Sequence, residues 1–156
     1  MKDHKAAKEL ANRALVDLRA LDELVGNPRV ADEIFGFLAQ QAAEKSLKGW
    51  LALLGKQFPI THNLAHLEKE LQKAGVQNAV QGGLLSLNPF AVQFRYEIMD
   101  STEPELDRRK ILKMVRVLVE KVSSLVAEES EMPPGVHEAP AVYRAGKPKM
   151  KGRKRK

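Results

Sequence analysis

Apolar residues recur along most of the chain with the period of an α-helix and not of a strand. From about residue 3 to 25, Ala7, Ala11, Ala14, Leu18, Leu21 and Val25 follow one another at alternating steps of four and three. Gly26-Asn27-Pro28 ends that segment, glycine being suited to a left-handed cap and proline unable to continue the turn. A second helix is predicted from about Arg29 to Leu54, with Ile34, Phe35, Leu38, Ala42, Leu47, Trp50, Leu51 and Leu54 as its apolar members and Gly55 at its end. After the loop "GKQFPITHN", a shorter helix from about Asn63 to Lys73 closes at Gly75. The stretch 76–99 is weaker, and Gly82-Gly83 and Pro89 predict a break or two short helices within it.

Thr102 and Glu105 have the spacing of a capping box for a last helix, whose seam is Ile111, Val115, Leu118, Val122 and Leu125. No segment keeps the period-two alternation of a half-buried strand, and no internal repeat is present. The pattern therefore predicts an all-α fold, a bundle of four to five helices over residues 1–128. Residues 129–156 lose all periodicity. They are rich in Pro, Gly and Lys and are expected to form a disordered basic tail.

Charge changes this picture only at the tail. The net charge of +6 over 156 residues is uneven, because Arg144, Lys147, Lys149, Lys151, Arg153, Lys154, Arg155 and Lys156 have no acidic neighbour among them. Without those eight, 18 basic residues face 20 acidic ones and the body is close to neutral. So dense a polycation is expected to hold nucleic acid by counterion release, without sequence specificity. It offers no stacking ring after Tyr143. The absence of cysteine excludes disulfides and thiolate zinc sites. No leader-like or membrane-spanning apolar run is seen, so a soluble cytoplasmic protein without membrane attachment is expected.

Candidate chemistry concentrates on the second helix. Gln41, Glu44, Lys45 and Lys48 fall at i, i+3, i+4 and i+7, which puts them on one stripe. Glu44 and Lys48 are an i,i+4 pair in the favourable order. Spacing alone leaves two readings open, a solvated face or a surface that holds a ligand. His62 and His66 have a spacing that can bind metal on one helix face, but no third ligand of convincing type lies nearby. A capping or packing hydrogen bond is the expected role of His62, and no metal or cofactor is expected. Trp50 and Phe37 fit a core or seam better than a stacking platform, and no Gly-rich phosphate loop is present.

Three separated motifs carry a family resemblance. Gln41-Ala42-Ala43-Glu44-Lys45-Ser46-Leu47-Lys48, then Thr61-His62-Asn63-Leu64, then Leu87, Asn88, Phe90, Arg95 and Tyr96 occur in the order of HEPN domains. The chain resembles that family, whose name stands for higher eukaryotes and prokaryotes nucleotide-binding, over roughly residues 5–127. Glu97 stands where the family commonly has proline. The resemblance implies an antiparallel bundle, a homodimer, and a polar cleft near the dimer interface. It places Gln41, Glu44, Lys45, Lys48, His62, Arg95 and Tyr96 at a nucleotide or RNA phosphate, with an Arg95–Glu44 salt bridge as the structural alternative for Arg95.

Many members are metal-independent ribonucleases in which an Arg is followed, after four to six residues, by a proton-carrying His. The corresponding positions after Arg95 hold Asp100, Ser101 and Thr102. The resemblance thus implies a protein that binds and does not cut, with no catalytic residue assigned. It also implies a minimal nucleotidyltransferase partner, in a toxin–antitoxin-like pair. The alternatives are a ribonuclease with a rearranged site using Arg95 and His62, and a dimeric scaffold without ligand.

Overall fold

The computed structural model describes residues 1–92 and 105–132, and they are helical with no strand among them. Four α-helices, α1 (His4–Leu24), α2 (Asp32–Leu53), α3 (Leu64–Lys73) and α4 (Arg108–Glu131), accompany one 3-10 helix, η1 (Gly82–Ala91). The expected all-α bundle is present. Asp3 caps α1 by accepting from the Ala6 amide at 2.9 Å. Ala7, Ala11, Ala14, Leu18 and Leu21 form its buried face. Alanine at three of those places lets α1 run close to α2, where a Cβ on Gly49 would stand 3.3 Å from both the Ala7 carbonyl oxygen and Leu10 Cβ.

Helix α2 touches α1, α3, η1 and α4 and is the axis of the fold. That position explains why buried residues such as Phe35, Ala39, Ala43, Leu47 and Leu51 lie all round it, as expected of a helix enclosed by neighbours. Ile34, predicted in its apolar set, is instead 43% exposed in the first turn, before the enclosure begins. The helix starts at Asp32, three residues later than the pattern predicts. Gly36 packs directly under η1, and a Cβ there would come within 2.5 Å of the Phe90 ring.

Two further helix boundaries differ from expectation. Gly26 does not take the left-handed conformation, which among the described glycines falls at Gly55 (φ 72°) and Gly75 (φ 91°). Helix α1 ends through a tight turn, with the Asn27 amide donating to the Leu24 carbonyl at 3.1 Å just before Pro28. The N-cap of α4 is Asp107, which accepts from the Lys110 amide at 3.0 Å, so Glu105 precedes the helix and closes no capping box. Thr102 lies outside the described residues. In the stretch after residue 76, the described residues, which end at Val92, form one 3-10 helix with Pro89 inside it. In the α4 seam, Ile111, Val115, Leu118 and Val122 are buried, and at the far end Val126 is buried beside a half-buried Leu125 that packs against the core.

Arg108 ties the start of α4 to the start of α2. Its Nε donates to Asp32 Oδ1 at 2.6 Å, and Nη1 donates to the carbonyls of Leu24 (3.3 Å) and Asn27 (3.1 Å). Nη2 donates to the Val30 carbonyl, and the guanidinium lies 5.5 Å from the centroid of the Phe35 ring. One side chain thus satisfies the loop between α1 and α2, whose carbonyls have left the helical ladder.

Candidate phosphate-binding site

The polar cluster of the molecule is built where the middle of α2 meets the loop entering α3. Glu44 is 5% exposed, yet both of its carboxylate oxygens are engaged, from three directions. Lys48, one turn along α2, donates to Oε1 at 2.7 Å. Gln40, one turn before, donates to Oε2 at 3.0 Å. His62 Nδ1 lies 3.2 Å from Oε1 and 3.1 Å from Oε2. An ionised carboxylate can only accept, so the proton in that contact belongs to Nδ1 and the Nδ1–H tautomer is fixed.

Burial by itself raises the pKa of Glu44. The hydrogen bonds from Lys48, Gln40 and His62, with the positive charge of Lys48, outweigh it and hold the carboxyl below the ordinary glutamate value. Glu44 is therefore a carboxylate throughout the neutral range. Lys48 is itself only 15% exposed, and its ammonium also lies 5.8 Å from the centroid of the Phe58 ring.

The loop that delivers His62 is fixed at both ends of the residue. Gln40 Nε2 also donates to the His62 carbonyl at 2.9 Å. Asn63 caps α3 by accepting from the amides of Ala65 (3.0 Å) and His66 (3.3 Å), and Thr61 Oγ1 accepts from the Asn63 amide at 3.1 Å. Asn88 on η1 completes the anchor. Its Oδ1 accepts from the Leu64 amide at 2.8 Å, and its Nδ2 donates to Asn63 Oδ1 at 3.2 Å. Thr61-His62-Asn63-Leu64 is thus a capping and anchoring device that leaves the His62 side chain 57% exposed on a buried carboxylate. The expected capping role belongs to Asn63, and His62 supplies its ring to Glu44.

The predicted stripe does not stay together. Glu44 and Lys48 meet His62, whereas Lys45 turns to α1 and pairs with Asp17 at 2.6 Å. Gln41 is half-buried and donates to Gln40 Oε1 at 2.8 Å, which fixes the Gln40 amide so that its NH2 faces Glu44 and the loop. Arg95 and Tyr96, and the basic positions Arg144–Lys156, lie outside the described residues. Periodicity cannot tell Gln40 from Gln41 beside it, and it gives no sign of Asp17, which lies 28 positions from its partner. The motif match did include Asn88, although no role was read for it.

No group of three or more potential metal ligands occurs among the described residues. His66 Nε2 lies 3.7 Å from Glu70, away from the His62 ring contact. A groove of about 330 Å³ between α1 and α4, bordered by Lys8, Asn12 and Ser123, shares no residue with the cluster.

The sequence model of the HEPN domain matches residues 7–126, most of the chain. The chain belongs to the HEPN family. The match covers α2, α3 and η1 and most of α1 and α4, so the cluster lies inside the HEPN domain itself. Membership connects the protein with nucleotide- and RNA-related function at the level of the family. No curated protein and no solved structure matches the chain significantly. Among the described residues, no helix is long and apolar enough to cross a membrane.

Proposed function

We propose that this HEPN protein binds the phosphate of a nucleotide or of RNA at the Glu44–Lys48–His62 cluster, and does not cleave it. The observation that carries the reading is the half-exposed His62 ring held on a buried carboxylate. A structural histidine needs no such support. A solvated helix face does not bury its glutamate either, and burying a polar group is costly unless its hydrogen bonds are complete. Phe58 and Ile60 stand exposed on the same loop, Ile60 fully so, and offer apolar surface to a base or sugar next to the polar cluster. The absence of a histidine after four to six intervening residues from Arg95, where Asp100, Ser101 and Thr102 stand, supports binding without cutting. Arg95 and Tyr96 are assigned to the same ligand on the strength of the family motif.

The partners follow the family. The protein acts as a homodimer beside a minimal nucleotidyltransferase, in a toxin–antitoxin-like pair, and the tail from Arg144 to Lys156 adds non-specific attraction for nucleic acid. One observation favours a second reading. A histidine with Nδ1–H fixed by a carboxylate is the usual arrangement of a general base, which would suit a ribonuclease using His62 in place of the missing residue.

Incubating the purified protein and its Arg95→Ala variant with mixed RNA separates the two. Intact RNA in both supports binding alone, and cleavage that depends on Arg95 establishes the nuclease. Titration with ATP and GTP separates both from a scaffold. Saturable binding weakened by Lys48→Ala is expected, and the absence of any binding would leave the scaffold reading.

A further inference from the structure

Among the described residues, the charges gathered at the cluster do not by themselves favour an anion. Glu44 contributes one negative charge and Lys48 one positive charge, and the two are bonded to each other at 2.7 Å. With a neutral His62 the three side chains sum to zero. Among the described residues, α3 carries as many acidic as basic side chains (Glu68 and Glu70, Lys69 and Lys73), and Lys56 in the loop adds one positive charge to the surroundings. Gly82–Ala91 on η1 carries no ionisable side chain, and Lys45 is paired with Asp17 on α1. On α3, His66 stands against Glu70, which is also bonded to Lys73. In the loop, Lys56 is the one ionisable residue between Gly55 and Thr61.

The His62 ring is the group that can change the sum. Its Nδ1 side is committed to Glu44, and no hydrogen bond engages Nε2 among the described residues. A proton added at Nε2 turns the ring into a cation whose second N–H is free to donate, while Glu44 stabilises the charge from behind. The site then carries one net positive charge and one charge-assisted donor, which is what a phosphate oxygen requires. We propose that phosphate binding at this site is proton-linked, with His62 taking up a proton at Nε2 as the ligand arrives and donating that N–H to a phosphate oxygen. The inference rests on the phosphate-binding reading above and adds to it the state of the site that binds. A phosphate ligand would then be favoured at mildly acidic pH and released as pH rises.

Calorimetric titration of ATP, and of a tetrauridylate whose phosphodiesters keep their charge, tests this with the full-length protein. Each titration is run in two buffers of different ionisation enthalpy, near pH 6 and near pH 8, spanning the range in which histidine ordinarily titrates. The wild-type protein is expected to take up part of a proton on binding, and to bind about tenfold or more tightly at the lower pH, since one linked proton permits up to tenfold per pH unit. The His62→Gln variant is expected to lose both effects. It keeps the backbone carbonyl that anchors the loop to Gln40, and any protonation of ATP itself cancels in the comparison. Binding with the same proton uptake in both proteins, or with none in the wild type, would overturn the proposal and leave the phosphate site standing. No binding of either ligand at either pH would remove the site together with the proposal.

Discussion

Gln40 holds the candidate site together, although nothing in its own sequence position announces it. Its side chain is fully buried, and its amide serves Glu44, the His62 carbonyl and Gln41 at once. Replacing it by leucine would keep the volume and leave a buried carboxylate and a loop carbonyl short of a donor. Gln40→Leu is expected to lower stability by about 1–3 kcal/mol in urea denaturation, and a change below a few tenths of that would show that water serves both acceptors. Glu44 predicts a pH signature. Its folded pKa is depressed, so its ionisation contributes stability that is present above the unfolded value and is lost as pH falls through the folded one. Glu44→Gln should therefore show less loss of stability than the wild type on acidification below the ordinary carboxylate range. Equal acid sensitivity in the two proteins would mean that Glu44 is not the carboxylate that matters. The sequence made Glu44, Lys48 and His62 legible through their motifs. It hid Gln40 and Asp17, because contacts over 22 and 28 positions leave no periodic trace.

At the scale of elements, the long helices were legible because each buries a face, and burial writes a 3.6-residue period into the sequence. The boundaries were less so. Gly26 reads as a left-handed cap, but the chain turns there through Asn27 and is held by Arg108 from another helix, so tertiary contacts decide the end of α1. The segment at Gly82–Ala91 was ambiguous for a related reason, its glycines and proline weakening an α-helix while Leu84, Leu87 and Phe90 still need burial. The 3-10 helix satisfies both demands and rests on α2 at Gly36. A methyl group there would meet three atoms of the Phe90 ring at 2.5–2.8 Å. Gly36→Ala is expected to cost about 1–3 kcal/mol by overpacking. Phe90→Leu in the same chain should recover part of that loss, and strict additivity of the two changes would place the strain elsewhere.

The whole molecule is a bundle around α2, closed at one end by Arg108. That residue is 15% exposed at its side chain and joins α4 to Asp32 and to the carbonyls of Leu24, Asn27 and Val30, so its loss takes the counter-charge from Asp32 and the donor from the Val30 carbonyl. Arg108→Met is expected to destabilise the protein by about 3–5 kcal/mol. Arg13→Met, which removes an ion pair with both partners more than half exposed, should change stability by less than about 1 kcal/mol. Comparable losses would mean that the closure is spread over the surface. This frame is what holds the His62 ring on Glu44. The most direct measurement is a histidine-ring NMR spectrum recorded while ATP or tetrauridylate is added, since His4, His62, His66 and His137 report from four separate places. A saturable shift at the His62 ring nitrogens, accompanied by the Gln40 side-chain amide, is predicted, with the RNA intact at the end of the titration. Shifts confined to His137 or the other rings, or degraded RNA, would contradict a phosphate site that binds without cutting.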